Sequence, residues 1–119
     1  MAFNRIITTT IANGEASTTI NLNAAPDKSQ PLTLVSVITP TTIDGDNIAF
    51  EASLDDNTYV PISYDGNPVT VSITGGTAYT LDPVVFAPYK YVRLTTQTGS
   101  TTQNQSAERT IAVIAREVS

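Results

Sequence analysis

Residues 47–54 read NIAFEASL, and they alternate apolar and polar side chains more cleanly than the rest of the chain. The apolar side chains of this stretch share one side of an extended strand: Ile48, Phe50, Ala52 and Leu54. The polar side chains point the other way: Asn47, Glu51 and Ser53. A two-residue period is that of a β-strand that lays one face against a core. The stretch therefore predicts a half-buried strand.

Short runs of a similar kind lie on both sides of this strand, separated by turn residues. They are residues 5–12 (RIITTTIA), 16–22 (ASTTINL), 32–39 (LTLVSVIT), 58–64 (TYVPISY), 69–73 (VTVSI), 78–82 (AYTLD), 90–96 (KYVRLTT) and 109–118 (RTIAVIAREV). Thr, Val and Ile are frequent in them, and β-branched side chains fit a pleated surface. Turn signals such as Asn13-Gly14 between short strands are typical of a sandwich or barrel. We predict an all-β fold: an antiparallel β-sandwich, jelly-roll-like, with eight or nine strands and essentially no helix.

The interior of this sandwich is predicted from apolar positions that alternate in adjacent strands. They are Ile48, Phe50, Leu54, Val69, Val71, Ile73, Val92 and Leu94. In residues 58–64 we expect Val60 and Ile62 to face inward. Pro61 cannot donate to a ladder, which places its strand at a sheet edge or a bulge. Asp82 before Pro83 predicts a short capped turn.

Three segments bear on contacts with other subunits. Residues 32–39 put Leu32, Leu34 and Ile38 on one face and Val35 and Val37 on the other, which predicts a central strand or one covered by a neighbouring subunit. The Asn13-Gly14 step predicts that residues 1–23 form an N-terminal hairpin, which belongs to the core or reaches to a neighbour. A polar loop with Pro26, Asp27 and Pro31 follows. Residues 5–12 and 109–118 are each expected to offer an exposed strand edge.

Length and charge limit what the chain binds. At 119 residues and 12.6 kDa it fits a single domain, residues 1–119, and its 40% hydrophobic content is enough for one core. Its net charge is −5 and its six basic residues are scattered, whereas a nucleic-acid binder needs a basic cluster. We therefore expect neither nucleic acid nor membrane as a partner. The first residues, MAFNRIITTT, lack a signal-peptide pattern, so we expect synthesis in a cytoplasm.

The side-chain inventory disfavours catalysis. The chain has no His and no Cys, which removes the usual general base, the thiol nucleophile and most zinc ligands. We expect no enzyme activity and predict no catalytic, cofactor-binding or metal-binding residue. Calcium is the alternative for two acidic turns, namely Asp44, Asp46 and Asn47, and Asp55, Asp56 and Asn57. Neither turn has the spacing of a twelve-residue calcium loop, so solvated turn residues are the preferred interpretation.

The tyrosines leave two interpretations open. They are Tyr59, Tyr64, Tyr79, Tyr89 and Tyr91. Rings gathered on one surface would form a platform on which sugars stack. Alternatively, the rings pack in the core or at its rim with their hydroxyl groups in water. The chain has no Trp, which disfavours a sugar platform.

Two stretches resemble known jelly-roll modules. Residues 48–62, IAFEASLDDNTYVPI, resemble a hairpin of discoidin-like domains, and residues 87–94, APYKYVRL, are similar to the ARYVRL strand of those domains. From about residue 20 to residue 118, the order of features is similar to that of small proteins encoded among the head genes of tailed bacteriophages. The residues that carry this resemblance are Phe50, Ser53, Asp55, Tyr59, Pro61, Tyr79, Leu81, Asp82, Pro83, Phe86, Tyr91, Arg93, Leu94, Arg109 and Ile111. The chain has Asp56-Asn57 where the family pattern has Asp-Gly, which changes the geometry of that turn.

The resemblance implies a structural role on a virion. It implies a capsid decoration or cement protein that stabilises the exterior of a phage head, with the major capsid protein as partner and the outer capsid surface as location. A homo-oligomer is expected, and a trimer is favoured because it matches the threefold positions of a capsid. The alternative is a carbohydrate- or receptor-binding β-sandwich module of a virion tail or fibre. No catalytic or ligand residues come with the family.

Overall fold

The computed structural model describes residues 4–12, 14, 16–22 and 32–117. The strands in this part of the chain, with the one short helix between β9 and β10, are β1 (Asn4–Ile11), β2 (Ile20–Asn21), β3 (Leu32–Ile38), β4 (Asn47–Ser53), β5 (Val60–Pro61), β6 (Ser63–Tyr64), β7 (Asn67–Pro68), β8 (Thr70–Ser72), β9 (Ala78–Thr80), α1 (Pro83–Phe86), β10 (Tyr91–Thr98), β11 (Thr101–Thr102) and β12 (Arg109–Glu117). The predicted all-β class is confirmed.

The strands form two main antiparallel sheets. The first sheet has the order β1, β12, β3, β9. In the second sheet β10 and β4 are central, β2 and β11 pair with β10, and β5 and β8 pair with β4. The chain changes sheet between β1 and β2, between β2 and β3, and between β3 and β4, and it changes again on either side of β9. The chain therefore passes repeatedly from one sheet of the sandwich to the other.

The core lies between the two sheets and draws on both. Phe50 of β4 and Phe86 of α1 are fully buried and meet edge to face, with their ring centres 4.9 Å apart. Their aliphatic neighbours in the core are Ile11, Ile20, Leu22, Leu32, Leu34, Val37, Ile48, Val92, Leu94, Ile111, Val113 and Ala115. The predicted core positions that the structure confirms are Ile48, Phe50, Ile73, Val92 and Leu94. Val69 and Val71 are half-buried and pack against this core.

Leu54 and Val60 were predicted to face inward, and both predictions are wrong. Leu54 is 82% exposed and Val60 is 58% exposed. The strand β4 ends at Ser53, whose hydroxyl donates to the Asp55 carboxylate at 2.9 Å, so the alternation stops one residue before Leu54. Val60 pairs with Ala52 in the short edge strand β5. The edge position predicted from Pro61 is therefore correct, and that edge leaves Val60 at the rim.

A β-bulge explains why β3 has apolar residues at both odd-numbered and even-numbered positions. Opposite β12, Leu34 pairs with Ala115 and Ser36 pairs with Ile114, which leaves Val35 as the extra residue. The extra residue reverses the alternation, so Leu34 faces inward before the bulge and Val37 after it. Ile38 therefore points outward, which corrects the predicted grouping of Ile38 with Leu32 and Leu34. The pattern needs no covering subunit.

The described residues of the N-terminal segment do not form the predicted hairpin ladder. β1 pairs with β12 in the first sheet, whereas β2 pairs with β10 in the second sheet. The two runs meet at Thr18, whose N–H donates to the Thr10 carbonyl at 2.9 Å and whose carbonyl accepts from Thr9 Oγ1 at 2.7 Å. Asn13 of the predicted turn, and the loop with Pro26, Asp27 and Pro31, lie outside the described residues. The segment links the two sheets because each of its strands has a different long-range partner.

The short turn predicted at Asp82 is the helix α1. The Asp82 carboxylate accepts from the Val84 N–H at 3.1 Å, and Pro83 occupies the first turn, where its missing N–H is not needed. Phe86, the last residue of this helix, is buried in the core. Within the described ranges, no helix is long and apolar enough to cross a membrane.

Candidate functional site

The outward side of the first sheet is uncharged over most of its rows, and the exposed Arg116 near the end of β12 borders it. The pairing register aligns its side chains in rows across β1, β12, β3 and β9. We call this surface the uncharged face, and its members are Ile6, Thr8, Thr10, Ser36, Ile38, Ala78, Thr80, Thr110, Ala112 and Ile114. All of them are apolar or carry a single hydroxyl group.

Apolar side chains reach solvent on the uncharged face. Ile6 is 73% exposed and Ile38 is 37% exposed, while Ile114 is half-buried. Among the side chains that the structure describes, Arg116 of β12 is exposed on the same side as Ile114 and borders this face, whose own members carry no charge. Covering such a surface desolvates no ion, so it is suited to contact with another protein. A phosphate backbone would instead need clustered Lys and Arg.

The uncharged face ends at an open strand edge. β1 is the outer strand of the first sheet and is eight residues long, whereas β9 at the opposite edge has three residues. β12 lies between β1 and β3 and offers no edge, which corrects the prediction for residues 109–118. Many natural edge strands are protected by Pro, Lys or a bulge. Residues 6–11 of β1 have none of these.

The outward side of the second sheet differs because it carries a charged cluster. The Arg93 guanidinium donates from Nε to Glu51 Oε1 at 2.6 Å, and these two residues are direct partners across β10 and β4. The same guanidinium lies over the Tyr59 ring, 4.2 Å from its centre. Stacking and ion pairing together hold Tyr59 against the sheet. The cluster therefore ties the chain before β5 to the two central strands.

The turn between β4 and β5 is built on its own carboxylates. Asp55 Oδ1 accepts from the N–H groups of Thr58 at 3.0 Å and Asn57 at 2.9 Å, and these bonds hold the pKa of Asp55 below its ordinary value. Asp56 has φ of 60°, so it takes the left-handed conformation that favours glycine. The left-handed residue of this turn is thus Asp56, and the Asp-Gly step of the family pattern is not required at Asn57.

Asp56 connects this turn to the segment before β2. Its Oδ1 accepts from Thr19 Oγ1 and from the Tyr59 hydroxyl, both at 2.6 Å. The bond from Thr19, followed by that from Tyr59, holds the pKa of Asp56 below its usual range. Burial, and then donation to Asp56, raises the pKa of Tyr59. Ionised Asp56 and neutral Tyr59 therefore stabilise each other.

The first acidic turn, considered for calcium, is occupied by donors of the protein. Asp44 Oδ2 accepts from the Ser106 N–H at 2.7 Å and its hydroxyl at 2.9 Å, which lowers the pKa of Asp44, and Arg109 Nη2 lies 3.6 Å away. Asp46 Oδ1 accepts from the Gly99 N–H at 3.0 Å. The part of the chain that the structure describes contains no cluster of three or more acidic, His or Cys side chains that could hold a metal ion. Independence of metal stays a prediction.

Gln105 is a buried polar residue that the sequence places only in a loop. Its Nε2 donates to the Asp44 carbonyl at 2.7 Å and to Thr96 Oγ1 at 3.0 Å. Its Oε1 accepts from the Asp44 N–H at 2.8 Å and from Arg109 Nε at 3.2 Å. Gln105 thereby joins the loop before β4 to β10 and β12. No periodicity or motif marks such a residue, so the sequence carries no signal for it.

An open apolar groove of about 420 Å³ lies at the end of β4. Its lining residues are Ala52, Ser53, Leu54, Asp55, Thr58, Val60 and Tyr89. Asp55 is already engaged by the turn, so the lining offers few free groups that could orient a sugar. The groove is better suited to an apolar side chain of another protein. It exists because Leu54 and Val60 face outward, against the prediction from alternation.

The tyrosines lie in separate places. Tyr59 and Tyr91 are on the outward side of the second sheet, and Tyr89 lines the groove. Tyr79 packs against the core, where its hydroxyl accepts from the Thr74 N–H at 2.6 Å. Tyr64 is exposed in the hairpin of β6 and β7. This distribution favours packing at the core and its rim over a single sugar platform.

No protein-family model matches the chain, and no curated protein matches it. Several residues that carry the viral resemblance have a role in folding. Phe50 packs on Phe86, Asp82 caps α1, and Arg93 pairs with Glu51. The resemblance itself stays a prediction.

Proposed function

We propose that the protein is a structural component of a virion: a decoration or cement protein on the outer surface of a tailed-bacteriophage head. Its partner is the major capsid protein, which it meets after synthesis in the host cytoplasm. The observation that supports the proposal is the uncharged face, a broad surface of apolar and hydroxyl side chains on the four-stranded sheet. The order of sequence features from about residue 20 to residue 118 adds the viral context by resemblance.

Charge separation supports an outer location. The net charge is −5, and the uncharged face leaves the acidic groups to the other surfaces of the molecule. A docked copy would keep those groups in water and away from packaged DNA. Each contact can be weak, because linked copies on one shell bind with an avidity far above that of a single contact.

A homo-oligomer is part of the proposal. The first sheet has two edges, and they allow two closed arrangements. Head-to-tail pairing of β1 with β9 of the next copy builds a ring such as the trimer expected from the sequence, whereas pairing of β1 with its own copy builds a dimer. The resemblance to the viral family favours the trimer, whereas the open edge of β1 favours the dimer, and the mass of the purified protein distinguishes the two.

The test of the proposed function is co-sedimentation with shells of the virus whose genome encodes the chain, purified without this protein. Wild-type protein should sediment with the shells. Ile38→Glu places a carboxylate in the uncharged face and should lose binding, whereas Val84→Glu adds the same charge at an exposed position of α1 and should retain it. Circular dichroism checks that both variants fold. Wild-type protein that stays in the supernatant would contradict the proposal.

The second candidate function is a receptor-binding module of a tail or fibre. The apolar groove beside Leu54, Val60 and Tyr89 favours it. A glycan array and a panel of host surface proteins would test this candidate directly. Binding that Leu54→Asp abolishes, in a protein that ignores shells, would favour this function over decoration.

A further inference from the structure

β1 is an edge strand, and part of its backbone faces away from the sheet. In an antiparallel sheet, alternate residues direct their N–H and C=O groups to opposite sides. The Thr10 N–H donates to Thr18 Oγ1 at 3.2 Å, and the Thr10 carbonyl accepts from the Thr18 N–H at 2.9 Å. Both backbone groups of Thr10 therefore point away from β12. Ile6 and Thr8 have the same parity as Thr10, and so has Asn4. Their backbone groups therefore point to the same open side.

The open part of this edge is short and has a defined centre. Thr18 occupies the edge at Thr10, and the chain beyond it joins the second sheet through Ile20. For Ile6 and Thr8 the structure records no partner on the open side among the described residues. Among the described residues, no strand pairs with the open side of the stretch Asn4–Thr8, whose midpoint is Ile6.

We propose that β1 pairs antiparallel with β1 of a second copy of this chain, around a twofold axis at Ile6. Ile6 then lies opposite Ile6 of the second copy, and Asn4 lies opposite Thr8. Each such pair exchanges two backbone hydrogen bonds, because all three residues direct both groups to the open side. A twofold contact uses the same surface on both copies, so one open edge is sufficient. This pairing rests on the self-association in the proposed function and gives it a geometry.

The side chains are compatible with this contact. Ile6, 73% exposed in one copy, would pack against its counterpart on the uncharged face. Two four-stranded sheets would become one continuous sheet, and the two uncharged faces would merge. Each chain carries a net charge of −5, but the paired stretch Asn4–Thr8 contains no acidic residue, and its one charged residue is Arg5. The edge of β9 is a weaker site, since it offers only three residues.

Single cysteines test the register, because the natural chain has no Cys. Under mild oxidation Ile6→Cys should form a disulfide-linked dimer, since directly opposed hydrogen-bonded residues have Cα atoms about 5.5 Å apart, within disulfide range. Thr8→Cys is the matched control. In this register the two Thr8 positions are about four residues apart along the strands, or roughly 13 Å, which a disulfide cannot span. Ile6→Cys should therefore cross-link at least tenfold faster than Thr8→Cys.

A second variant tests the backbone contact. Thr8→Pro removes an N–H that points away from β12, so it should abolish the dimer and keep the internal ladder. The measurement is mass by light scattering at high protein concentration, with circular dichroism to check the fold. Equal cross-linking of the two cysteine variants, no cross-linking of either, or a wild-type monomer or trimer would overturn the pairing. If Thr8→Pro fails to fold, the comparison of cross-linking between Ile6→Cys and Thr8→Cys still tests the pairing.

The outcome is separable from that of the proposed function. Wild-type protein that binds shells while Ile6→Cys fails to cross-link would overturn the twofold pairing and leave the decoration role intact. Selective cross-linking of Ile6→Cys in a protein that ignores shells would support the pairing and remove the decoration role.

Discussion

Replacing Phe50 by alanine is expected to destabilise the sandwich strongly, while replacing Leu54 by alanine is expected to do almost nothing. The alternating sequence gives the two residues the same predicted face. The structure separates them, since Phe50 is fully buried against Phe86 and Leu54 is exposed. The difference in stability between the two variants therefore tests whether Leu54 lies outside the core, as in the structure, or inside it, as the alternation predicts.

The magnitudes follow from burial. Phe50→Ala empties the space of a ring that meets Phe86 edge to face, and such truncations lower the free energy of unfolding by about 3–5 kcal/mol. For a domain of this size that corresponds to a fall in melting temperature of about 12–20 °C, at roughly 4 °C per kcal/mol. Leu54→Ala removes an exposed side chain, so its effect should stay within about 0.5 kcal/mol.

The assay is equilibrium unfolding in urea, followed by circular dichroism, with the slope of the transition compared between variants. An unchanged slope shows that the shift in midpoint reports stability. A loss below about 1 kcal/mol for Phe50→Ala would refute the placement of the core. A loss for Leu54→Ala as large as that for Phe50→Ala would refute the end of β4 at Ser53.

Three further predictions concern polar groups. Gln105→Leu should lower the free energy of unfolding by about 2–4 kcal/mol, because it leaves the buried Thr96 hydroxyl and the partly buried backbone groups of Asp44 without this partner. Asn104→Leu, at the exposed neighbouring position, should lower it by less than about 0.5 kcal/mol, and the midpoints of urea unfolding compare the two variants. The carboxyls of Asp44, Asp55 and Asp56 have folded pKa values below the ordinary 3.8, so the stability they supply should be complete above about pH 4 and should fall as the pH drops through their folded pKa values. Melting temperatures that rise between pH 4 and pH 2 would contradict this. EDTA should leave the melting temperature unchanged, and a loss that calcium restores would reveal a metal site in an acidic turn.

The two outward sides of the sandwich suggest different uses. The second sheet pairs Arg93 with Glu51 on its outward side, and Arg93 stacks on Tyr59, which donates to Asp56 in the turn before β5. The first sheet leaves apolar side chains and one strand edge open. The proposed role would use both, namely a surface that binds a partner and a surface that stays in water.

Part of the candidate surface could be predicted from the sequence. The run at residues 5–12 was expected to offer an edge, and β1 is an edge. The run at residues 109–118 has similar composition, yet β12 is central. Composition does not distinguish them, because an edge strand differs from a central one only in how many neighbours it has. Gln105 and the groove were missed since each depends on loops that meet through distant contacts.

The sequence by itself determined the class of fold and the strand at residues 47–53, because a two-residue period is a local property of the chain. It also determined the cap at Asp82, which needs only its neighbours Pro83 and Val84. Only the tertiary structure decided which sheet each N-terminal strand joins, and where the bulge at Val35 reverses the alternation of β3. Both depend on pairing with β12 or β10, far along the chain. A two-residue period shows that neighbouring side chains lie on opposite faces of a strand, but the pairing of that strand with distant strands determines which face is buried.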